Sequence, residues 1–425
     1  MNLILGKLMT DEDSYAELER LDTLIFEARE KASLSVSSVI NACEVLSRTL
    51  NECDHLHLLL DTGMTENKAR KELQLVKQIL SKEYSENRIK TELGTPLGCF
   101  TPYGENISVR QEWKPLGVLL HIAAGNVDAL PVFSVIEGLL TGNINILKLP
   151  GNDDGLSVLI LQELIKIEPL IAQYVFVFDY PSHNVEAVKK MASASDAVVV
   201  WGGDSAVSAV RNMANPDTRI IEWGHKVSFA YVSDNASDNE LDGVAYNICD
   251  TNQVFCNSCQ GIFVDTDSFD EVVSFAERFL LILEHMVESM PNDNDPYLSA
   301  QNTLELYTER LESAKYRKRV FTANNCSVIA YDDMTLTPSY MYRNCWVRPL
   351  PRGRLLAELC QYKNHLNTAA LICNERDKDA FETLLSKTGL VRITNGKRMS
   401  EGYCGMPHDG EFSLRRYMKI MSYED

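Results

Sequence analysis

The sequence lacks long hydrophobic runs and has few basic residues. No apolar stretch approaches the roughly 18 residues that a membrane-spanning helix needs. The apolar stretch at the N-terminus is too short for a secretory signal. The 41 lysines and arginines are outnumbered by 60 aspartates and glutamates, which gives a net charge of −19. Because nucleic acid is bound through a basic surface, the sequence predicts neither a membrane span nor a nucleic-acid partner.

Several motifs of phosphate and metal chemistry are also missing. The chain has neither the Gly-x-Gly-x-x-Gly fingerprint of dinucleotide binding nor a Walker loop. Its 11 cysteines are odd in number and spread through predicted core segments, which favours a reducing, cytoplasmic compartment over a disulfide framework. Cys256 and Cys259 form a Cys-x-x-Cys pair, but no second pair completes a zinc site, so no metal site is predicted. A reversible disulfide between these two cysteines under oxidation is a hypothesis.

The composition is that of an ordinary globular protein, with 45% apolar and 24% charged residues. At 425 residues the chain is long enough for two or three domains. Residues 1–95 show helical periodicity, whereas short apolar runs alternate with amphipathic stretches over 96–226 and 227–400, and a tail of 401–425 follows. The sequence therefore predicts an α/β protein with a helical N-terminus and two α/β regions.

The first α/β region has the pattern of a doubly wound parallel sheet. Five apolar strands alternate with four helices there, and the strands are predicted at residues 117–122, 145–149, 174–178, 197–200 and 219–222. Such sheets bind ligands at the carboxyl ends of their strands. The candidate site residues at those ends are Asn126, Lys148, Gly202, Gly203 and Glu222.

Cys256 is the candidate nucleophile. A cysteine is by default buried and inert, but this one lies in a polar loop ahead of a predicted strand, and a nucleophile needs that partial exposure. Glu222 lies 34 residues earlier and is either a solvated carboxylate at a strand end or a general acid/base. A thiolate with a carboxylate nearby is equipped to attack a carbonyl and to hold the acyl group as a thioester. The polar neighbours of Cys256 are Asn252, Gln253, Asn257, Ser258 and Gln260.

Each of the other candidates also has a plainer interpretation. Asn126 is either an N-cap or an amide that stabilises an oxyanion. Lys148 either reaches the ribose hydroxyls of a dinucleotide or lies on the surface. The Gly202-Gly203 turn precedes a helix N-terminus, which suits a phosphate or a nicotinamide. His408, in His-Asp-Gly, is either a proton shuttle or part of a tight turn in which Gly410 supplies a positive φ.

Together these motifs resemble the aldehyde dehydrogenase superfamily and, within it, the acyl-CoA reductases of the bacterial bioluminescence type, the LuxC family. The resemblance covers nearly the whole chain. The superfamily match rests on Thr141-Gly142-Asn143 with Ile146-Leu147-Lys148, on Glu222-Trp223-Gly224-His225-Lys226, and on the Cys256 loop. The narrower match rests on residues 121–127, 201–203 and 253–260, and on His408-Asp409-Gly410 followed by Leu414.

The resemblance implies an aldehyde dehydrogenase-like fold. The helical segment 1–95 would pack on a Rossmann-type, parallel-sheet cofactor-binding domain at 96–226, and 227–400 would form an α/β catalytic domain. The tail, 401–425, would return to the cofactor domain or to an oligomer interface. Cys256 would be the nucleophile, Asn126 the oxyanion-hole amide and Glu222 the carboxylate of the cleft. The cofactor-binding residues implied are Lys148, Trp201, Gly202, Gly203 and Gly224.

The implied reaction is the NADPH-dependent reduction of a long-chain acyl-CoA, or of an acyl-protein thioester, to the aldehyde through a cysteine-bound acyl group. NADPH is favoured over NADH because Gly151 stands where ordinary aldehyde dehydrogenases have the glutamate that binds the adenosine ribose hydroxyls. Asn257 and Cys259 replace the serine and proline that are common in the family, and the second cofactor glutamate of the superfamily is missing. The implied partners are an acyl-protein synthetase and further copies of this chain in a homo-oligomer.

Two other interpretations stay open. One is an NAD(P)-dependent aldehyde dehydrogenase or an acyl-phosphate reductase on the same fold. Activity with acyl-CoA would favour the acyl-CoA reductase, whereas activity with free aldehyde alone would favour this alternative. The other is an inactive scaffold for an acyl-transfer partner. The presence of Cys256, Glu222 and Asn126 argues against a scaffold, and failure to bind any nicotinamide would argue for it.

Overall fold

A computed structural model describes residues 1–31, 33–61, 64–94, 99–100, 109–123, 129–151, 153, 155–233, 236–290 and 296–424. The chain forms two compact units, Met1–Gly224 together with Tyr403–Asp425, and His225–Gly402. The N-terminal helices, the first α/β region and the tail thus share one unit, and the second α/β region forms the other. A search of the described helices for one long and apolar enough to span a bilayer finds none.

The strands in the described part of the chain are short. In chain order they are β1 (Asn2–Ile4), β2 (Lys7–Met9), β3 (Cys99–Phe100), β4 (Val109–Pro115), β5 (Val118–Ile122), β6 (Ile144–Lys148), β7 (Val175–Phe178), β8 (Ala197–Trp201), β9 (Arg219–Trp223), β10 (Val227–Val232), β11 (Cys259–Val264), β12 (Lys318–Ala323), β13 (Cys326–Tyr331), β14 (Asn344–Pro349), β15 (Leu366–Ile372), β16 (Arg392–Thr394) and β17 (Met418–Glu424).

The α-helices are concentrated in the first unit. In chain order they are α1 (Asp11–Glu19), α2 (Leu21–Lys31), α3 (Val36–Thr49), α4 (Glu52–Asp61), α5 (Glu66–Leu80), α6 (Lys82–Leu93), α7 (Leu130–Leu140), α8 (Leu156–Ile167), α9 (Val185–Ser193), α10 (Asp204–Met213), α11 (Asp238–Thr251), α12 (Phe269–Ser289), α13 (Pro296–Glu312), α14 (Leu355–Leu359), α15 (Glu375–Ser386) and α16 (Ser413–Arg416). Two 3₁₀ helices span Pro169–Gln173 and Cys360–Tyr362.

The main sheet of the first unit has the strand order β2-β1-β7-β6-β5-β8-β9. Strands β5 to β9 are parallel, which confirms the predicted doubly wound sheet. From β5 the order runs outward to β6 and β7 on one side and to β8 and β9 on the other. The carboxyl ends of β5 and β8 therefore flank the topological switch point, where sheets of this kind bind their ligands.

Helices cover both faces of this sheet. Helices α3, α5, α7 and α8 bury one face, and α1, α2, α9 and α10 bury the other. Strands buried on both faces have apolar residues at most positions rather than at alternate ones, which is why β5 to β8 are visible in the sequence. Helices of the N-terminal segment pack directly on this sheet.

Some strands of the first unit are absent from the sequence prediction. Strands β1 and β2 extend the main sheet antiparallel to β7, but each has only three residues, too few for a periodic pattern. The tail forms β17, which pairs with β4 from Met418 opposite Pro115 to Glu424 opposite Val109. Together with β3 these strands make a separate antiparallel sheet.

The second unit is built on a sheet with the strand order β12-β13-β14-β11-β10-β15-β16. All neighbours in it are parallel except β12 and β13. Helices α11 and α12 cover one face, and α14 and α15 cover the other. The ring of Trp346 lies against Gly261, where a Cβ atom would be 2.0 Å from the ring, so only glycine fits at this point of β11.

Candidate active site

Cys256 lies in the second unit, in the turn between α11 and β11, and its side chain is partly exposed. Because α11 returns the chain to the amino end of the parallel sheet, the turn lies beside the first residues of β10 and β15. Asn252, the C-cap of α11, and Gln253 both have left-handed backbone conformations, with φ of 47° and 63°. The candidate nucleophile is therefore at the amino ends of these strands, whereas the candidate residues of the first sheet were predicted at the carboxyl ends of its strands.

Two side chains from neighbouring strands contact Cys256. The amide nitrogen of Asn367, at the start of β15, lies 3.7 Å from the Cys256 sulphur. The hydroxyl of Ser228, at the start of β10, donates to the Cys256 carbonyl oxygen at 2.7 Å. Neither residue is among the sequence-predicted site residues.

Two buried glutamines hold the loop in place. The Gln253 amide nitrogen donates to the carbonyl oxygens of Cys259 and Asn344, both at 3.0 Å, and its oxygen accepts from the Arg343 N–H. The Gln260 amide nitrogen donates to the Gln253 carbonyl oxygen at 2.8 Å. The sequence motif Gln253-x-x-Cys256-x-Ser258-x-Gln260 thus contains the anchors of the loop as well as the nucleophile.

The segment that includes Arg343, whose N–H donates to Gln253, has an unusual backbone. Met341, Tyr342 and Arg343 are three consecutive non-glycine residues with φ of 58°, 48° and 71°. Each such conformation costs about 1–2 kcal/mol for an L-residue. The Tyr342 N–H donates to the Asn252 carbonyl oxygen at 2.9 Å, so the strained segment is bonded directly to the turn that carries the nucleophile. No sequence signal indicates this segment, because none of its residues favours a positive φ.

Cys259 differs from Cys256 in its surroundings. It is fully buried, its thiol donates to the Gly261 carbonyl oxygen at 3.3 Å, and burial raises its pKa to about 12. A thiol that stays protonated at neutral pH is a poor partner for disulfide exchange, which argues against the disulfide hypothesis for Cys256 and Cys259. Within the described ranges, no three or more His, Cys, Asp or Glu side chains are grouped so that they could hold a metal ion.

Lys148 ends β6 in the first unit and is buried rather than on the surface. Its ammonium group donates to the Ser182 hydroxyl at 2.8 Å, and no salt bridge joins it to a carboxylate in the described part of this unit. Burial lowers the pKa of Lys148, although Asp179 opposes this. A buried ammonium group held by a hydroxyl has donors to spare, which suits a ribose hydroxyl or a phosphate oxygen.

Gly203 is the N-cap of α10, next to the switch point of the sheet. It has no capping side chain, and a Cβ atom added to it would meet nothing within 4 Å. Gly151, which follows β6, is equally open. The backbone at both positions is therefore accessible, and the N-terminus of α10 adds a partial positive charge. These features fit a dinucleotide phosphate.

A buried chain of hydrogen bonds fixes the orientation of Trp201, at the end of β8. The indole N–H donates to the Ser134 hydroxyl at 3.1 Å, Ser134 donates to Nδ1 of His121 at 2.6 Å, and Nε2 of His121 donates to the Asn145 side-chain oxygen at 3.0 Å. Burial lowers the pKa of His121 to about 4, so its ring is neutral at pH 7 and accepts at one nitrogen while donating at the other.

Two further sequence candidates also belong to the first unit. The Glu222 carboxylate pairs with Arg211 of α10 at 2.7 Å, and both side chains are substantially exposed. Its neighbour Trp223 is buried on the opposite face of β9. Gly224 follows β9, and a Cβ atom there would meet nothing within 4 Å. Asn126 lies outside the described residues.

His408 forms the tight turn that the sequence analysis offered as one interpretation. The backbone N–H and carbonyl groups of His408 and Glu411 bond to each other at 2.9 Å, and Asp409 and Gly410 between them have φ of 49° and 84°. The imidazole ring packs edge-on against the rings of Trp201 and Trp223, with centroids 5.0 and 4.9 Å away. The turn therefore places a histidine beside the end of β8.

Comparison with known proteins identifies the family. Residues 32–420 match the acyl-CoA reductase (LuxC) family. The chain belongs to this family. The long-chain acyl-protein thioester reductase of Vibrio harveyi is 25% identical over 386 residues, which cover 86% of this chain and 76% of that protein. The protein of the same name from Photobacterium phosphoreum is also 25% identical, over 85% of this chain and 74% of the relative.

Solved structures place the fold. The glyceraldehyde-3-phosphate dehydrogenase of Methanocaldococcus jannaschii, complexed with NADP, superposes with a TM-score of 0.74 at 9% identity, over 99% of this chain and 95% of that one. Lactaldehyde dehydrogenase from Escherichia coli gives a TM-score of 0.74 at 12% identity, over 98% and 92% of the two chains. The predicted family and the predicted aldehyde dehydrogenase-like fold are both confirmed.

Proposed function

We propose that this protein reduces a long-chain acyl thioester to the aldehyde with NADPH, through an acyl group carried on Cys256. The observation that carries the proposal is that Cys256 is partly exposed, in a loop anchored by Gln253 and Gln260. Membership of the acyl-CoA reductase family supports acyl reduction. The family description supports acyl-CoA as the donor, and the names of the relatives, long-chain acyl-protein thioester reductases, support an acyl-protein.

The first step is transfer of the acyl group to Cys256. The thiolate attacks the carbonyl carbon of the donor thioester, a new carbon–sulphur bond forms, and the bond to the donor sulphur breaks. In the family pattern Asn126 and the backbone N–H of Cys256 stabilise the oxyanion. The donor leaves as a thiolate and takes its proton from water. CoA and a protein cysteine are equivalent in this step.

The first unit supplies residues suited to the cofactor. Lys148 would hold ribose hydroxyls, and the Gly202-Gly203 turn, whose backbone is open at Gly203, would lie against a phosphate or the nicotinamide. Gly151 has no side chain, so no carboxylate at this position repels a 2′-phosphate, and the open space beside it leaves room for one. Both features favour NADPH over NADH. When bound, the nicotinamide supplies the hydride that reduces the acyl group.

Release of the aldehyde returns Cys256 to its starting state. The sulphur leaves the reduced carbon as a thiolate, and the hydroxyl proton of the Cys256-bound thiohemiacetal passes to Glu222 or to water. Glu222, whose carboxylate pairs with Arg211 at 2.7 Å, is the cleft carboxylate of the family pattern. Acyl transfer itself needs no such base, since a thiolate leaves without a proton.

The proposed function is tested by following NADPH absorbance with palmitoyl-CoA and, in parallel, with a palmitoyl thioester on a carrier-protein cysteine. We expect NADPH to be consumed with at least one donor and palmitaldehyde to form in an equal amount. Turnover restricted to palmitaldehyde with NADP⁺ would instead indicate an aldehyde dehydrogenase. Failure to bind either nicotinamide would indicate a scaffold, and either result would overturn the proposal.

Lys148→Met is expected to weaken NADPH binding. The variant keeps an unbranched side chain one atom shorter but loses the ammonium donor. A hydrogen bond from a charged group contributes about 1.5–3 kcal/mol, which corresponds to a Kd roughly 10- to 100-fold higher. The Kd is measured by NADPH fluorescence titration. The matched control is Lys166→Met, which removes an exposed lysine from α8 and is expected to bind normally. Equal Kd values for the two variants would remove Lys148 from the cofactor site.

A further inference from the structure

A closed circuit of hydrogen bonds surrounds the candidate nucleophile. The Ser228 hydroxyl donates to the Cys256 carbonyl oxygen at 2.7 Å, and the Thr368 N–H donates to the Ser228 hydroxyl oxygen at 3.0 Å. The Thr368 hydroxyl donates to the Asn367 side-chain oxygen at 2.7 Å. The Asn367 amide nitrogen, 3.7 Å from the Cys256 sulphur, closes the circuit. The circuit links the amino ends of β10 and β15 to the nucleophile turn.

The circuit fixes which end of the Asn367 amide faces the sulphur. Ser228 and Thr368 are fully buried and Asn367 is nearly so, which strengthens each bond and restrains each side chain. In the structure the Thr368 hydroxyl donates to the amide oxygen, and the N–H groups point toward Cys256. A carbonyl oxygen in their place would repel a thiolate, whereas an N–H donor stabilises it. The arrangement therefore favours the charged form of the nucleophile over the neutral thiol.

We propose that Asn367 is a further catalytic residue, whose amide N–H donates to the Cys256 sulphur and stabilises the thiolate, with Thr368 as its positioning residue. The inference rests on the proposed function, in which Cys256 carries the acyl group. The same N–H group acts twice in that reaction: it raises the fraction of Cys256 that is ready to attack the donor thioester, and it receives the sulphur again when the aldehyde leaves.

Other titratable and charged groups lie on the elements that meet at this loop. His225 and Lys226 precede β10, His365 precedes β15, Arg343 lies in the strained segment, and Asp250 lies in the last turn of α11. The Lys226 ammonium group donates to the Asn364 carbonyl oxygen at 2.7 Å, and the His365 ring lies 3.3 Å from the His225 carbonyl oxygen. Variants that differ only at Asn367 or Thr368 keep all of these groups, so a difference between them reports on the amide.

The test is the pH dependence of Cys256 alkylation in the protein without substrate. The rate with iodoacetamide is followed between about pH 6 and pH 10, and peptide mass spectrometry separates Cys256 from the other cysteines. Asn367→Leu, which keeps the branched shape and the number of heavy atoms and removes the donor, is expected to raise the midpoint of the profile by about one pH unit and to slow alkylation at pH 7 about tenfold. Thr368→Val, which frees the amide to rotate, is expected to shift the midpoint in the same direction by less.

Asn364→Leu is the matched control. Asn364 is exposed and lies three residues before Asn367, so its variant is expected to keep the wild-type profile. Wild-type profiles in both Asn367→Leu and Thr368→Val would overturn the inference, and Thr368→Val alone decides it if Asn367→Leu does not fold. A shifted profile in a protein that consumes no NADPH with either palmitoyl donor would support the contact while overturning the proposed function.

Discussion

Cys256→Ala is expected to slow acyl thioester reduction by on the order of 10³-fold or more, because the variant has no atom to carry the acyl group. The substitution removes only the sulphur. The bond from Ser228 goes to the backbone carbonyl of residue 256, and the anchors of the loop belong to Gln253 and Gln260, so the turn keeps its supports. The loss should therefore appear in turnover and leave NADPH binding unchanged.

Two measurements check this result. NADPH absorbance with palmitoyl-CoA gives the rate, and intact-mass spectrometry without NADPH shows whether the protein gains a palmitoyl group. The control is Cys360→Ala, which removes an exposed cysteine from the same unit and is expected to keep both the rate and the adduct. A near-normal rate in Cys256→Ala, or an adduct located on another cysteine, would show that Cys256 is not the nucleophile.

The parts of the fold that were predictable are those whose burial is uniform. Strands β5 to β8 are buried at almost every position and consist mainly of apolar residues, so these runs stand out in the sequence. Strand β14 has equally little exposure but contains Arg348. The Arg348 guanidinium lies 4.1 Å from the ring centroid of Tyr331, in the neighbouring strand, and pairs with Asp333. A buried arginine accommodated by contacts across strands interrupts the apolar run of β14, and those contacts are not visible in the sequence.

Site residues were predictable where they belong to a short motif in the sequence. They were not predictable where residues far apart in the sequence come into contact only in the folded chain. Cys256 stands out because its polar neighbours are adjacent in sequence. Asn367 contacts Cys256 although the two residues are 111 positions apart in the sequence, and nothing in its sequence neighbourhood distinguishes it from a helix or turn asparagine. The general rule that ligands bind at the carboxyl ends of parallel strands suits Lys148 and Gly203 in the first unit. The same rule does not indicate Ser228 and Asn367, because these residues lie at the amino ends of their strands.

A buried ionic network connects the N-terminal helices, the first α/β region and the tail within the first unit. The Arg88 guanidinium, on α6, bonds to the Glu92 and Glu137 carboxylates, and Glu137 also accepts from the Tyr417 hydroxyl at 3.1 Å. Glu92 accepts from the Leu414 N–H at 2.9 Å. Glu137 belongs to α7, the helix that also carries Ser134, so the network supports the element that orients Trp201.

Arg88→Met is expected to destabilise the protein by about 3–5 kcal/mol, because it leaves two buried carboxylates without their counter-charge. Burial raises the pKa of Glu92 even with Arg88 beside it, and removal of the guanidinium raises that pKa further. The folded state then binds more protons than the unfolded state, so the free energy of unfolding rises as the pH falls. The loss of stability should thus be largest near about pH 8 and smaller near about pH 5.

Chemical denaturation at both pH values measures this effect, with Lys90→Met, an exposed lysine on the same helix, as the control. The double variant Arg88→Met/Glu92→Gln should regain part of the stability at the higher pH, because it removes one of the uncompensated charges and keeps the oxygen that accepts from Leu414. Two results would contradict this expectation: Arg88→Met is as stable as Lys90→Met, or its loss in free energy of unfolding is larger at the lower pH. Either result would show that the buried charges of this network do not stabilise the packing of α6, α7 and the tail.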